Sequence, residues 1–226
     1  RYFRVRPRSS AKITQGVTTE VFSNCGLGFA PVTDAGRAIQ REYLLGLFGD
    51  DTGVDWSWHT VREFLDLYRG HVGTNIAYLI PHGAVRVSVL GMADRPATAE
   101  ELSRMESMVR GGMEQGAFGM STGLWYSPMS YAAPAENVAL CRAVAEYGGF
   151  FATHMRDYSD DILGSLDESY AISRDSGAPV QVSHLQIGGA RNWGRAGEVL
   201  AHIEAARASG VDVLYDSYPY TAGSTS

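Results

Sequence analysis

Residues 150–184 read FFATHMRDYSDDILGSLDESYAISRDSGAPVQVSH and contain one complete strand–helix–strand pattern. Two short apolar runs, Phe150 to Thr153 and Val180 to Ser183, predict strands that are buried on both faces. Between them, Asp160 to Asp175 has helical spacing, and Gly177 follows where a left-handed residue can end the helix. This order of elements is typical of a parallel β-sheet with helices packed outside it.

The same alternation extends in both directions along the chain. Further strands are predicted at Val17 to Ser23, Ile76 to Ile80, Ala117 to Ser121 and Val211 to Tyr215. Further helices are predicted at Trp58 to Arg69, Glu136 to Tyr147 and Arg195 to Ser209, and after a capping box formed by Thr98 and Glu101. The apolar run Ala84 to Leu90 is either an extra strand or a continuation of the strand before it. About six strand–helix units therefore predict an α/β fold, either an open sheet or part of a barrel, because a closed barrel needs eight.

The composition indicates one globular core and no excess of positive charge. The sequence has 226 residues, of which 45% are hydrophobic, and a formal net charge of -6. We expect no nucleic-acid partner, because phosphate binding needs clustered Lys and Arg. The apolar stretch Val85 to Met92 is far shorter than the roughly 20 residues that cross a bilayer, so no membrane partner is expected. A cytoplasmic location with reduced thiols at Cys25 and Cys141 follows as an expectation.

Three of the predicted strands end in a residue that binds metals well. Cys25 follows the first strand, His154 follows Thr153, and His184 follows Ser183. The carboxyl ends of barrel strands share one edge, where active sites lie, so we expect the three ligand atoms to converge. Zinc bonds of roughly 2.0 to 2.3 Å predict a separation of about 4 Å or less between these atoms. A thiolate and two imidazoles leave one position open, as in a catalytic zinc site.

Simpler explanations exist for each of these side chains. A single Cys after a strand is more often a core residue than a ligand, whereas three ligands at matching strand ends favour a metal site. Of the remaining candidates, His59 and His202 are expected on helix surfaces and Cys141 in the core. His82 follows the strand Ile76 to Ile80 at the end where the site lies and is a candidate, not an assigned residue, for supporting the site. His71 is given no role.

Five motifs resemble those of a known family. They are QGVTTEV at residues 15–21, NCG at 24–26, STGLWY at 121–126, THMR at 153–156 and YPYTAGST at 218–225. In this order, over essentially the whole chain, they closely resemble the N-acyl-D-amino-acid deacylases of the amidohydrolase superfamily. The resemblance implies a TIM-like (β/α)8 metal-dependent barrel. Residues 1–226 would be an incomplete central segment of it, with the first and last strands and a small β-domain outside.

The resemblance also implies roles for individual residues. Cys25 would replace the modified lysine of many relatives and hold Zn²⁺ together with His154 and His184. Tyr218 and Ser224 would bind the substrate carboxylate, and Tyr126 would line the pocket for the substrate side chain. The reaction implied is hydrolysis of a small N-acyl-D-amino acid to a carboxylate and a free D-amino acid.

The sequence departs from the family pattern at several places. The His-x-His pair of the first strand is absent, and the Asp that acts as general base is expected beyond Ser226, so no catalytic residue is assigned within the chain. Gln186 stands where relatives often have Lys, and Tyr158 stands where an acidic residue is common. Two rival functions are a cyclic-amide hydrolase of the dihydroorotase or hydantoinase type, which generally uses a carboxylated lysine, and a non-catalytic assembly protein with the same fold.

Overall fold

The computed structural model describes residues 11–49, 55–220 and 222–223. Its strands are β1 (Thr19–Phe22), β2 (Asn75–Pro81), β3 (Gly119–Gly123), β4 (Phe150–His154), β5 (Val180–Val182) and β6 (Val213–Tyr215). Its α-helices are α1 (Asp34–Phe48), α2 (Val61–Asp66), α3 (His82–Leu90), α4 (Ala99–Glu114), α5 (Pro134–Ala145), α6 (Ile162–Ser176) and α7 (Ala196–Ala208). Short 3-10 helices lie at Ile13–Gln15, Asn24–Gly26, Met129–Tyr131 and Ala190–Asn192.

The strands form one parallel sheet in chain order, from β1 to β6. In its centre, Ser121 of β3 is opposite Ala152 of β4, which is opposite Gln181 of β5. Helices connect each strand to the next, and all strands therefore end at the same edge of the sheet. This architecture confirms the predicted α/β fold as part of a TIM-like barrel, with β1 and β6 as the two edges of the described sheet.

The core lies between the sheet and its helices. β3 is buried at every residue, and in β4 only Phe150 is partly exposed. The helices contribute Met105 of α4, Leu140 of α5 and Leu166 of α6, all fully buried. A central strand covered on both faces needs apolar or small residues throughout, which explains why these strands show no alternation in the sequence.

Reciprocal hydrogen bonds begin two of the helices. At α4, Thr98 Oγ1 accepts the Glu101 N–H at 3.2 Å, and the Glu101 carboxylate accepts the Thr98 N–H at 2.8 Å, as predicted. Thr60 and Glu63 form a second capping box at α2, which the sequence pattern had not indicated. The two caps fix where α2 and α4 begin, and thus how the chain enters β2 and β3.

Two expectations from the sequence are wrong. The run Ala84 to Leu90 is neither an extra strand nor a continuation of one, because it forms most of α3. Its β-branched residues favour a strand, but β2 pairs directly with β3, with Leu79 opposite Gly119, so the sheet has no place for it. His59 does not lie in a helix either. It precedes Thr60, the N-cap of α2.

The edge strands expose apolar side chains. Val21 of β1 is 50% exposed, and Leu214 of β6 is 60% exposed. Such exposure is expected where a parallel sheet is not closed by further strands. In the part of the chain that the structure describes, no helix combines the length and the apolar character needed to span a bilayer.

Candidate metal centre

Three strand ends bring Cys25, His154 and His184 together. Cys25 lies in the short helix after β1, His154 is the last residue of β4, and His184 lies two residues after β5. Cys25 Sγ is 3.4 Å from His184 Nε2, which is 3.0 Å from His154 Nδ1. One ligand atom from each residue lies within 4.8 Å of the other two, slightly wider than the expected 4 Å. Among the described residues, no other group of three such side chains converges in this way.

The turn that carries Cys25 has an unusual backbone. Ser23 and Cys25 both adopt positive φ angles, 67° and 59°, which few residues other than Gly adopt. Ser121 of β3 holds this turn, because its Oγ accepts the Gly26 N–H at 3.0 Å and donates to the Ser23 carbonyl. Gly123 allows close packing, since a Cβ there would lie 2.4 Å from the Cys25 carbonyl oxygen. β3 therefore holds the backbone of the turn that carries Cys25.

The electrostatic environment keeps the two histidines neutral. Burial, together with the nearby His184, lowers the pKa of His154 to about 3. Burial also lowers the pKa of His184. Burial and the charge of Asp216 raise the pKa of Cys25 to about 11. The two neutral imidazoles can bind a divalent metal directly through nitrogen, whereas the thiol of Cys25 must lose its proton when the metal binds.

Two tyrosines surround the histidine rings. Tyr126 Oη lies 3.3 Å from His154 Nδ1, and the two rings are 4.6 Å apart between centroids. Tyr158 is buried, donates to the Ser183 carbonyl at 2.9 Å and accepts the Met155 N–H at 2.9 Å. It thereby joins the residue before His184 to the residue after His154. The sequence had marked Tyr158 only as a departure from the family pattern.

Two of the three residues proposed for substrate binding lie within the described structure. Tyr126 lies beside the histidines, as described above. Tyr218 donates a hydrogen bond to Gln186 Oε1, two residues after His184, and so lies at the same edge of the sheet. Tyr218, predicted to bind the substrate, and Gln186, noted as a departure from the family pattern, are thus in contact. Ser224 lies outside the described residues.

His82 belongs to a buried polar cluster behind β3. Its Nδ1 lies 2.9 Å from Thr122 Oγ1, and its Nε2 lies 2.9 Å from Glu136 Oε1. Arg86 donates to both oxygens of Glu136, at 2.9 and 2.8 Å, and to the Pro128 carbonyl at 2.9 Å. Both ring nitrogens of His82 are therefore engaged away from the cysteine and the two histidines. The cluster supports the strand and the loop that carry Ser121 and Tyr126.

Asp216 directly follows β6, and from the sequence it was noted only as a carboxylate outside the motif position of the general base. Its Oδ1 accepts the backbone N–H of His184 at 2.7 Å, and its Oδ2 accepts Gln181 Nε2 at 2.8 Å. A carboxylate at a strand end of the same sheet was the available signal. The contact of Asp216 with the His184 backbone could not be predicted without knowing that β6 lies next to β5.

Known proteins resemble this chain over nearly all of its length. A D-aminoacylase of Alcaligenes xylosoxydans xylosoxydans is 37% identical over 225 residues, which are 99% of this chain and 45% of that protein. An N-acyl-D-glutamate deacylase of the same organism is 34% identical over 223 residues, covering 97% of this chain and 44% of that protein. The chain thus spans a little under half the length of the curated relatives it matches. No family model matches it.

Solved structures show the same relationship. A crystal structure of a D-aminoacylase described as defining a novel subset of amidohydrolases superimposes with a TM-score of 0.86 at 35% identity, over 98% of this chain and 46% of that one. An N-acyl-D-glutamate deacylase of Bordetella bronchiseptica, solved with zinc and a phosphonate inhibitor, gives a TM-score of 0.83 at 32% identity, over 97% of this chain and 45% of that one. The chain is therefore a homologue, over nearly its whole length, of one part of the N-acyl-D-amino-acid deacylases of the amidohydrolase superfamily.

Proposed function

We propose that this chain is the central part of the barrel domain of a zinc-dependent hydrolase that cleaves the amide bond of N-acyl-D-amino acids. The products are a carboxylate and a free D-amino acid. The observation that carries the proposal is the convergence of Cys25, His154 and His184 within 4.8 Å, at the strand-end edge of a fold shared with named deacylases. The small-molecule substrate would enter at that edge.

The three side chains fit a zinc ion. A tetrahedral zinc holds nitrogen and sulfur ligands roughly 3.3 to 3.6 Å apart. Two of the separations at this site, 3.0 and 3.4 Å, are close to that range, and all three ligand atoms lie within 4.8 Å of one another. When bound, the ion would act as a Lewis acid and would lower the pKa of a bound water molecule, so that hydroxide is available at neutral pH. His154 and His184 provide neutral rings whose nitrogens face each other. Tyr158 holds the backbone on both sides, because it contacts Met155 after His154 and Ser183 before His184.

Binding of the substrate is assigned to the remaining family positions. Tyr218 and Ser224 would hold the carboxylate, and Tyr126, which contacts His154, would line the side-chain pocket. The contact between Tyr218 and Gln186 supports this assignment, because it holds the phenol at the edge where the metal ligands lie. In this proposal, the Tyr218 hydroxyl turns from Gln186 to the substrate carboxylate when the substrate binds.

Proton transfer is assigned to the family's last-strand Asp, which the printed sequence does not include. Asp216, whose carboxylate contacts the His184 backbone, is the alternative to consider within the chain. Both of its carboxylate oxygens already accept hydrogen bonds, one from the His184 backbone and one from Gln181. These two bonds hold the carboxylate against the backbone of His184 and the side chain of Gln181, so we assign Asp216 a supporting role.

We also place the protein in the cytoplasm. Cys25 and Cys141 are both free thiols in the structure. A thiol that must bind a metal persists best in a reducing compartment, where competing disulfides are rare. Fractionation of the native cells would test this location.

The decisive experiment compares N-acetyl-D-methionine with N-acetyl-L-methionine, using the zinc-loaded complete protein. We expect hydrolysis of the D substrate and little of the L substrate. Dihydroorotate and hydantoin serve as comparison substrates for the cyclic-amide alternative. Hydrolysis of only the cyclic amides would favour that rival, and a protein without zinc and without any hydrolysis would favour the assembly role.

A further inference from the structure

His184 is oriented by its backbone, because its ring lacks the usual support. A metal-binding His commonly donates its second ring N–H to a carboxylate or carbonyl, which fixes the ring. Here His184 Nδ1 is buried and has no hydrogen-bond partner on any other described residue. The residue also has a φ of 40°, in the left-handed region that few residues other than Gly adopt. Some neighbouring group must therefore hold this conformation.

Asp216 contacts the turn around His184 with three of its polar groups. Its carboxylate Oδ1 accepts the His184 N–H at 2.7 Å. Its own N–H donates to the Val182 carbonyl at 3.1 Å, and its carbonyl accepts the Leu185 N–H at 2.7 Å. The carboxylate thus accepts the N–H of His184, the residue with the positive φ. The two backbone hydrogen bonds continue the pairing of β5 with β6 before and after it.

The carboxylate of Asp216 is itself fixed in rotation. Gln181, the middle residue of β5, donates from Nε2 to Asp216 Oδ2 at 2.8 Å. With one oxygen held by Gln181 and the other by the His184 backbone, the carboxylate bridges β5 and β6 at the point where β5 ends. This arrangement is built from two neighbouring strands and does not depend on a flexible loop.

We propose that Asp216 is a positioning residue for the metal centre, which holds the His184 backbone so that Nε2 faces Cys25 Sγ and His154 Nδ1. The inference rests on the proposed function, because it concerns the same metal ligands. The negative charge of Asp216 also lies close to a site suited to a dication, and this charge adds attraction. The hydrogen bond sets the geometry of the site, and the charge adds affinity.

The test measures metal binding by the complete protein, without relying on activity. Dissociation constants for Zn²⁺ and Co²⁺ are determined by competition with a chelator for the wild type, Asp216→Ala, Asp216→Asn and Asp212→Asn. We expect Asp216→Ala to bind at least about tenfold more weakly, as is typical when the outer support of a metal ligand is removed. Asp216→Asn keeps an oxygen that can accept the His184 N–H and should lose less. Asp212→Asn removes the same charge just before β6 begins, at the opposite end of that strand, and should match the wild type.

The spectrum of the cobalt-loaded protein distinguishes positioning from simple loss of fold. A displaced His184 should change the ligand-field bands of Co²⁺ and weaken its thiolate charge-transfer band in Asp216→Ala, while far-UV circular dichroism stays unchanged. If Asp216→Ala does not fold, Asp216→Asn and Gln181→Met decide the question, because Asp216→Asn removes the charge but keeps the side-chain shape, and Gln181→Met removes the N–H that holds Oδ2.

Wild-type affinity and an unchanged cobalt spectrum in Asp216→Ala would overturn the inference. So would wild-type behaviour of both Asp216→Asn and Gln181→Met, if the alanine variant is unfolded. A wild type that binds neither Zn²⁺ nor Co²⁺ would overturn the proposed function instead, and the inference with it. The two failures are distinguishable, because the first requires a wild type that does bind metal.

Discussion

The thiol sulfur of Cys25 lies 3.4 Å from Nε2 of His184, although 159 positions separate the two residues in the chain. Cys25 follows β1 and His184 follows β5, so four strand spacings lie between them in the order of the sheet. At about 4.8 Å per spacing, a flat sheet would hold the two strands roughly 19 Å apart. The sheet must therefore curl strongly, as a barrel wall does, and the metal centre exists only because of this curvature.

Replacing Cys25 by Ser should weaken zinc binding and lower the thermal stability gained from zinc. The thiol contributes one of three ligand atoms, and a hydroxyl is a poor substitute for a thiolate at a zinc site. At zinc concentrations of about 100 times the wild-type Kd, the wild type gains about 2.7 kcal/mol of stability, which the variant should largely lose. Differential scanning calorimetry with and without EDTA measures this gain.

Cys141→Ala is the matched control for Cys25→Ser, because Cys141 is a fully buried core thiol in α5. It should lower the stability with and without zinc by the same amount. An undiminished zinc effect in Cys25→Ser would remove Cys25 from the ligand set.

A methyl group at Gly123 should disturb the turn that carries Cys25. A Cβ at this position would lie 2.4 Å from the Cys25 carbonyl oxygen, which is backbone and cannot rotate away. We expect Gly123→Ala to lose about 1 to 3 kcal/mol of unfolding free energy, as overpacked sites do, together with zinc affinity. Urea denaturation and chelator competition measure the two effects.

Gly111→Ala provides the comparison for Gly123→Ala. Gly111 lies within α4, and a Cβ there meets nothing within 4 Å. Since Ala is favoured over Gly inside helices by about 1 kcal/mol, this variant should be more stable and should bind zinc normally. Equal behaviour of the two alanine variants would show that the Cys25 turn tolerates displacement.

Replacing Glu136 by Gln should destabilise the protein at neutral pH and less so in acid. Burial opposes ionisation of Glu136, but its hydrogen bond with His82 and the charges of His82 and Arg86 outweigh this effect, so the pKa is lowered from 4.5. A lowered pKa stabilises the fold fully above pH 4.5, and this contribution is lost as the pH falls through the folded-state value. Arg86, fully buried, would lose its ionised partner at a cost of about 3 to 5 kcal/mol.

Urea denaturation between pH 3 and pH 7 measures this dependence. The difference in unfolding free energy between the wild type and Glu136→Gln should be large at pH 7 and should shrink below pH 4.5. A difference that stays constant with pH would mean that Glu136 acts through its shape and not through its charge.

Removing the hydroxyl of Tyr218 should raise KM for the D substrate. A hydrogen bond to a carboxylate contributes about 1.5 to 3 kcal/mol, so Tyr218→Phe should raise KM about tenfold or more with little change in kcat. Tyr220→Phe is the control, because Tyr220 belongs to the same motif and is 75% exposed. A fall in kcat alone would place the Tyr218 hydroxyl at the reacting bond instead of at the substrate carboxylate.

Most elements of the fold could be predicted because their signals are local. The capping box at Thr98, the run Val180 to Ser183 and the glycine after α6 each depend on residues that are neighbours in the chain. The prediction was wrong where local preference and packing disagree, as at Ala84 to Leu90. There the β-branched residues favour a strand, and the direct pairing of β2 with β3 makes the segment a helix.

The sequence by itself determined the order of the six strands, most of the helices but not α1 or α3, and the three strand ends that carry Cys25, His154 and His184. These follow from periodicity and from the residue type at each strand end, which are local properties. Only the tertiary structure decided which side chains support the ligands. Asp216 reaches the His184 backbone, and Ser121 holds the Cys25 turn, because the curvature of the sheet and the register of its strands place residues far apart in sequence within hydrogen-bond distance.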